Sequence, residues 1–374
     1  MGDVLEKFQK RINPEKENIP LWSLTVKDGL IPKNAQYNRS FLVKKNDFFN
    51  LLPDNYLIYN PMNITLGAID INNSGKEIAV SGYYIILKIK SNYNEEFVLN
   101  NLVSRKSINL YQRFSTGSLT EKQRLQYPAF SKIKKLFPDF TEQRKIGSLL
   151  SALNKQITLQ QRKLNDLSSM KSALLQNIFP NTQGIKKIKL STQEWNLQKI
   201  SSIFKERNQR NKNGMLLSVS ISKGVYPFSE NDRKDNSSND KSNYKEVKIN
   251  DLAYNSMRMW QGAVGVSKYN GIVSPAYTVI TPKKEENPNF YYYYFKNKRM
   301  LFNFRQHSQG LTSDTWNLKF PLFEKILIQV PSDKEEEQRI SSLFKQLDKS
   351  IDLNKIHIEK LTSIKQFLLQ NMFI

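Results

Sequence analysis

A long stretch of this chain occurs twice. When the sequence is shifted by 194 positions, residues 146–179 align with residues 340–373 without a gap, and fifteen of the thirty-four aligned residues are identical. Chance similarity does not reach this level over an ungapped stretch. The tripeptide Glu-Gln-Arg enters each copy, at 142–144 and at 337–339, which predicts one inserted or deleted residue at that joint. The fold must therefore contain two equivalent elements.

Both copies are predicted to be long helices. Their apolar residues recur at spacings of three and four, and such a narrow seam is what a coiled coil presents to a partner. A helix of forty residues is about 60 Å long, too long for the interior of an ordinary domain. The two seams most simply bury each other, so we expect antiparallel helices related by a pseudo-two-fold axis. Two unrelated amphipathic helices on separate domains remain the alternative. The seam that would form the helix–helix or partner interface consists of Ile146, Leu150, Leu153, Ile157, Leu164, Leu167, Leu174, Ile340, Phe344, Leu347, Ile351, Leu361 and Leu368.

Capping residues are expected at both helix starts. Asp139 with Glu142, and Ser332 with Glu335, have the spacing of a capping box, in which the first side chain satisfies a free backbone donor. Pro180 follows the first helix and predicts its end.

The segments before the two helices form a second, more divergent repeat. Tyr59 and Gly67 match Tyr254 and Gly262 at a shift of 195, while Ser115 and Gly117 match residues 308 and 310 at a shift of 193. The chain therefore reads as unit, helix, unit, helix. We expect a mixed α/β (α+β) fold with domains at 1–136, 137–180, 181–331 and 332–374. The first and third are globular, and the second and fourth are the helices.

Short β-rich runs predict strands in the first globular unit. They cover residues 21–26, 41–43, 56–59, 78–80 and 83–90, and helical patterns follow at 95–114. The second unit opens with Glu194 to Lys199, for which the first has no counterpart. We therefore expect the first unit to lack that edge strand.

The composition favours a polyanionic partner. The 374 residues include 57 Lys and Arg against 34 Asp and Glu, a net charge of +23, and such an excess suits nucleic acid. A merely basic protein is the alternative. The absence of cysteine excludes disulfides and thiolate metal sites, and the apolar runs are too short to span a bilayer. We expect a soluble, cytoplasmic protein.

Basic and aromatic residues near the predicted turns are the candidates for DNA binding. Arg and Lys neutralise phosphates, and Arg, Asn and Gln read base edges in the major groove. Taken singly, each is more simply a solvated surface charge. The set is Arg39, Lys44, Lys45, Arg105, Lys106, Arg113, Lys122 and Arg124 in the first unit, and Lys223, Tyr226, Arg233, Lys234, Arg258, Trp260, Lys268, Tyr269, Arg305 and Gln306 in the second.

The sequence offers no catalytic constellation. An amino-methyltransferase needs an Asn-Pro-Pro-aromatic loop and a glycine-rich loop for its methyl donor. Asn60-Pro61 and Asn287-Pro288 lack the second proline, and both are interpreted as turns. Neither a Walker loop nor a nuclease-like arrangement of Asp, Glu and Lys on a strand occurs. We therefore expect no catalytic residues and no metal ligands in this chain.

The pattern resembles the specificity subunit of Type I restriction-modification systems. The resemblance lies in Phe137-Pro138 through Glu142-Gln143-Arg144 into the helix ending Leu174 to Phe179, in the second copy ending Leu368 to Phe373, and in Asn255 to Ala263, which is similar to a target-recognition domain. It covers nearly the whole chain, and the missing opening segment is the one departure.

The resemblance implies a non-catalytic subunit that selects the DNA site. Each globular unit would be a target-recognition domain reading one half of a bipartite double-stranded site, and the helices would set the spacer. Two methylation subunits and restriction motor-nuclease subunits would be the partners. S-adenosylmethionine, ATP and magnesium would bind to those partners, so that the assembly would be a DNA adenine methyltransferase and endonuclease. The rival hypotheses are a self-contained modification enzyme and a coiled-coil adaptor with basic nucleic-acid-binding ends.

Overall fold

The computed structural model describes residues 1–33, 49–117, 123–180, 188, 194–231 and 240–373. The chain divides into two compact units, unit 1 with residues 1–162 and 356–374, and unit 2 with residues 163–355. The two long helices are α4 (Phe140–Ile178) and α9 (Lys334–Asn371). Each unit contains one half of each long helix.

Unit 1 is built on a four-stranded antiparallel sheet in the order β1-β9-β6-β7, beside a three-stranded sheet β2-β5-β8 and the hairpin β3-β4. Its main core lies between the four-stranded sheet and the helices, with Tyr59, Phe97, Tyr111 and Phe130 fully buried. The elements are β1 (Leu5–Phe8), β2 (Arg11–Ile12), β3 (Trp22–Thr25), β4 (Gly29–Pro32), β5 (Phe49–Leu52), β6 (Leu57–Tyr59), β7 (Ile69–Ile71), β8 (Ile78–Ser81), β9 (Ile85–Ile89), α1 (Glu95–Leu102), α2 (Arg105–Phe114) and α3 (Tyr127–Ser131).

Unit 2 repeats this plan with the sheet order β11-β18-β15-β16 and the pairs β10-β19, β12-β13 and β14-β17. Its core is richer in aromatic rings, since Phe290, Tyr291, Tyr294 and Phe295 all lie buried on one short helix. The elements are β10 (Trp195–Lys199), α5 (Ile200–Ile203), β11 (Phe204–Glu206), β12 (Leu217–Ser220), β13 (Gly224–Pro227), β14 (Lys245–Val247), β15 (Leu252–Asn255), β16 (Val264–Val266), β17 (Gly271–Val273), β18 (Tyr277–Pro282), α6 (Pro288–Phe295), α7 (Lys298–His307), α8 (Phe320–Phe323) and β19 (Leu327–Pro331).

The predicted elements match those observed, apart from one predicted strand, at 41–43, which lies outside the described residues. Strand β1 was not predicted. It occupies the same edge of its sheet as β11. In the described part of unit 1, no strand corresponds to β10, and residues 133–139, which precede α4, form no strand.

The starts of the long helices correct two expectations. Asp139 Oδ1 accepts a hydrogen bond from the Glu142 amide at 2.9 Å, as predicted. The second cap is Asp333, not Ser332, because Asp333 Oδ1 accepts from the Glu335 amide at 2.8 Å while the Ser332 hydroxyl donates to the Glu194 carbonyl. Both caps and both first helical residues are 194 positions apart. The one-residue insertion between the two copies therefore lies before the helices begin. Because the Glu-Gln-Arg tripeptides are 195 positions apart, they occupy helical positions that differ by one residue.

Within unit 2 the halves of the long helices run antiparallel. Phe179, just after α4, stacks on Phe344 with ring centroids 6.0 Å apart. Eight residues earlier on α4, the Lys171 ammonium pairs with the carboxylate of Asp348, which lies four residues further along α9. Within unit 1, Ile146 and Leu150 near the start of α4 share a core with Phe373, just past the end of α9.

Each globular part is tied to a long helix by an asparagine cap. Asn94 caps α1, because its Oδ1 accepts a hydrogen bond from the amide of Phe97. The backbone N–H of Asn94 donates to Gln143 Oε1 at 3.0 Å. In unit 2, Asn287 caps α6 through Oδ1, while its Nδ2 donates to Gln338 Oε1 and Ser341 Oγ, both at 3.0 Å. Asn287-Pro288 is thus a helix start rather than the predicted turn.

A charge cluster around the buried carboxylate of Glu337 lies at the start of α9. The Lys334 ammonium donates to Glu286 Oε2 at 2.8 Å and to Glu337 Oε1 at 2.9 Å. The Tyr291 hydroxyl donates to Glu286 Oε2 at 2.7 Å. Burial raises the pKa of Glu337, and Lys334 opposes that rise only in part. The equivalent position 194 residues earlier is the neutral and equally buried Gln143.

Candidate nucleic-acid interface

Both units carry the same short turn at the same edge of the main sheet. A 3-10 turn joins β6 to β7 in unit 1 and β15 to β16 in unit 2. The asparagine that opens it, Asn60 or Asn255, accepts through Oδ1 a hydrogen bond of 3.0 Å from the amide two residues later. The glycine that closes it has a left-handed backbone, with φ of 95° at Gly67 and 84° at Gly262. The prediction of a turn at Asn60-Pro61 is confirmed.

A loop lies beside this turn in each unit and follows the second helix. The amide of Leu125 donates to the carbonyl of Pro61 at 3.0 Å, and the amide of Leu318 donates to that of Ser256 at 2.9 Å. We call the turn and loop together the reading surface. It comprises the described residues 60–68, 115–117 and 123–125 in unit 1, and residues 255–263 and 308–318 in unit 2.

In unit 2, the reading surface and the end of the preceding helix α7 bring together two arginines and two indoles. The Trp260 and Trp316 rings meet edge to face with centroids 5.2 Å apart. The Arg305 guanidinium lies 5.0 Å from the centroid of the Trp316 ring. Arg258 Nη1 is 4.0 Å from the carboxylate of Asp314. These five side chains are the indole cluster.

Comparison with known families locates a known domain in this half of the chain. Residues 192–363 match the model of the family described as Type I restriction modification DNA specificity domain. Over these residues the chain is similar to a Type I specificity domain. The match covers residues 192–355 of unit 2 and most of α9, and residues 1–191 and 364–374 lie outside it. The search of curated proteins found no match.

Solved structures extend the likeness of fold over the whole chain. The S subunit of a Type I restriction-modification system from M. genitalium superposes with a TM-score of 0.62 at 12% sequence identity, covering 100% of this chain and 94% of that one. The HsdS subunit from Thermoanaerobacter tengcongensis covers 100% and 95% at 13% identity and a TM-score of 0.46. A structure of a type I R-M system, described for its complex assembly and conformational transition, covers 98% and 95% at 12% identity and 0.49. The first of these supports the expected mixed fold with two long helices.

Within the matched residues, the predicted DNA-binding residues fall into separate groups. Arg258, Trp260 and Arg305 join the indole cluster, and Gln306 lies exposed on the same helix as Arg305. Lys223 lies elsewhere, with its ammonium 5.0 Å from the Tyr226 ring. Lys268 is exposed, whereas the half-buried Tyr269 packs against a small core beside β12 and β13.

In unit 1, the described candidates line the second helix and its loop. Arg105, Lys106 and Arg113 are exposed on α2, and Arg124 is exposed where its backbone pairs with Thr116. The candidates outside the described residues are Arg39, Lys44, Lys45, Lys122, Arg233 and Lys234.

The two arginines and two indoles of the indole cluster have no matching side chains in unit 1. The equivalent positions of Arg258, Trp260, Arg305 and Trp316 in the repeat are occupied by the residues Asn63, Thr65, Gln112 and Gln123. The two reading surfaces thus share a backbone and differ in chemistry.

Sequence reasoning missed Asp314 and Trp316. The repeat match at residues 308 and 310 marks only the start of their loop. A tryptophan in an otherwise polar run, Ser-Asp-Thr-Trp-Asn at 313–317, was the available signal.

The predicted seam residues of both long helices are all buried or half-buried. Ile146, Leu150, Ile340 and Phe344 belong to the unit cores. The assignment of the seam as a partner interface stays a prediction.

No group of three or more metal-ligating side chains occurs in the described parts of the chain. No helix there is both long and apolar enough to cross a bilayer.

Proposed function

We propose that this chain is the non-catalytic DNA-specificity subunit of a Type I restriction-modification complex. Each reading surface contacts one half of a bipartite duplex site. One observation carries this proposal: within a matched specificity domain, a turn-and-loop scaffold presents a cluster of arginines and indoles, and the repeat supplies the same scaffold with other side chains.

The side chains of the two surfaces fit recognition of two different half-sites. Arginine binds the O6 and N7 atoms of guanine by paired hydrogen bonds, whereas asparagine and glutamine suit the N6 and N7 atoms of adenine. Arg258 and Arg305 are therefore expected to contact base edges or phosphates of one half. Asn63 and Gln112, with Arg105 and Arg113 on the same helix as Gln112, are expected to act on the other half.

The charge of the chain fits the same partner. A net charge of +23 attracts duplex DNA whatever its sequence, and the contacts to phosphates weaken with salt at a log-log slope of about −0.9 for each phosphate. Base contacts then add the preference for one site.

The chemistry of the complex belongs to other subunits in this proposal. Two methylation subunits dock on the long helices and globular units and bind S-adenosylmethionine. Motor-nuclease subunits bind ATP and magnesium. The complex acts in the cytoplasm, where its DNA substrate is.

Selection from random duplexes tests the proposal. The full chain, co-expressed with methylation subunits encoded beside it, is expected to enrich a split sequence from a pool of duplexes with a randomised centre. Arg258→Ala should relax the bases of one half only, by about 1–3 kcal/mol of discrimination at the affected position. Arg105→Ala is the matched variant in unit 1 and should affect only the other half.

Two results would contradict the proposal that each unit selects its own half of the DNA site. If wild-type protein enriched no sequence, and random duplex competed as well as any other, the chain would be a general nucleic-acid adaptor. If Arg258→Ala relaxed both halves together, the two units would not act as independent readers.

A further inference from the structure

The loop at 308–317 holds a fixed shape. Gly310 has φ of 143°, and a Cβ at this residue would lie 2.6 Å from the backbone of Thr315. The Thr315 hydroxyl donates to the carbonyl of Thr312 at 3.0 Å. Gln309 and Asn317 pair through their backbones at the base of the loop. The side chains on this loop are therefore presented from a defined position.

Two of those side chains contact the two arginines of the indole cluster. Trp316 supplies a ring face to Arg305, and such a contact holds a guanidinium that would otherwise sample many rotamers. Asp314 supplies the carboxylate nearest to Arg258, and its own side chain is 87% exposed. Each arginine thus has a partner from the same loop.

A carboxylate on a DNA-facing surface weakens DNA binding that depends only on contacts with phosphates. Phosphates repel Asp314, and its ion pair with Arg258 competes with any phosphate for the guanidinium. At a separation of 4.0 Å with both side chains exposed, the pair is weak enough for a better ligand to displace it. A guanine edge is such a ligand, because its paired acceptors match the fork of the guanidinium and, unlike a phosphate, carry no negative charge that Asp314 repels.

We propose that Asp314 is a specificity-determining residue of the second unit, which withholds Arg258 from phosphates until a base edge of the right half-site competes for it, and that Trp316 is the positioning residue of Arg305. This inference rests on the proposed function and names the residues that set the selectivity of one reading surface.

The test measures binding to random duplex and the selected sequence for the same variants. Asp314→Asn should raise the affinity for random duplex about three- to tenfold, the effect of about one surface charge. The salt slope should steepen by about 0.9 if Arg258 gains a phosphate, and the bases of one half should be less strictly selected. Asp352→Asn removes an exposed charge from α9 and should change neither the affinity for random duplex, nor the salt slope, nor the bases selected.

Trp316 is tested by a pair of variants. Trp316→Ala should relax selection in the same half as Arg305→Ala, whereas Trp316→Phe keeps a ring face and should retain the wild-type sequence. A merely structural role would lower the thermal stability without changing the bases selected.

The outcomes separate the two proposals. If Asp314→Asn left both the random-duplex affinity and the selected sequence unchanged while Arg258→Ala relaxed one half, this inference would be overturned and the proposed function would stand. An equal gain in random-duplex affinity from Asp352→Asn would also overturn it. A wild-type chain that selects no sequence would overturn the proposed function itself.

Discussion

At the scale of single residues, the two copies show which positions are constrained by packing and which are not. Gln143 and Glu337 occupy the same buried position at the start of the two long helices. The amide in one copy shows that a neutral side chain fits there. The carboxylate in the other is accompanied by Lys334 and Tyr291, so the charge is a local feature of unit 2.

Glu337→Gln should therefore change how stability depends on pH. Burial raises the pKa of Glu337 from its ordinary value of 4.5, so the folded state keeps this proton to a higher pH than the unfolded chain does. The resulting contribution to stability is present below pH 4.5 and is lost as the pH rises through the folded pKa.

Urea denaturation of both proteins at a series of pH values between 4 and 7 measures this contribution. The amide variant should show a smaller decline in the free energy of unfolding over this range. Glu335→Gln, on the exposed side of the same turn, should follow the wild type. A parallel decline in all three proteins would contradict the assignment of this pH dependence to Glu337.

The residue scale also shows where sequence reasoning was insufficient. Ser332 and Asp333 are both good caps, and only the strand that precedes them decides between them, since pairing with the segment at Glu194 engages the Ser332 hydroxyl. Asp314 and Trp316 were missed for a similar reason. Their importance comes from contacts with residues 11 and 56 positions away, which no local pattern records.

At the scale of elements, the long helices were predictable because a heptad pattern repeats along both of them. Polar residues interrupt the seam at matching places, Gln160 with Asn354 and Lys171 with Lys365. Polar residues at such positions reduce stability and favour one register over its neighbours. Burial lowers the pKa of Lys365, consistent with its place on this seam.

The contact between Lys171 and Asp348 should contribute to the pairing of the helix halves in unit 2. Asp348 also accepts a hydrogen bond of 2.8 Å from the Tyr293 hydroxyl. Asp348→Ala leaves both donors without this acceptor and should reduce the free energy of unfolding by about 1–2 kcal/mol, because the side chains are about one-third exposed.

Asp352→Ala is the matched control on the same helix. Its carboxylate is 70% exposed and pairs only with Lys355 at 3.6 Å among the described side chains, so its loss should cost less than about 0.5 kcal/mol. Denaturant titration followed by circular dichroism measures both. Equal losses would show that the pairing of Lys171 with Asp348 contributes nothing particular to unit 2.

At the scale of the whole molecule, the chain repeats a scaffold and varies what the scaffold presents. The four-stranded sheets of the two units correspond strand by strand, and the turn and loop keep the same backbone hydrogen bonds. The repeat made this architecture predictable from sequence. The chemistry of each reading surface was less predictable, because it depends on loops whose side chains meet only after folding.

If the long helices set the spacer of the DNA site, as the resemblance implies, shortening both helices should shorten that spacer. Removing residues 157–163 and 351–357 deletes one heptad at equivalent positions of both helices and keeps the seam in register. Each helix becomes shorter by about 10 Å, which corresponds to about three base pairs at about 3.4 Å each. The half-site sequences should remain the same while the accepted spacer shortens by about that amount.

Sequencing of methylated positions in a host that carries the variant complex measures the spacer directly. Removing residues 157–163 alone is the control, because it mismatches the two seams and should lower stability without giving a new defined spacer. An unchanged spacer in the double deletion, with both half-sites still methylated, would show that the long helices do not set the spacer length. A changed half-site sequence would instead show that the helices influence the reading surfaces themselves.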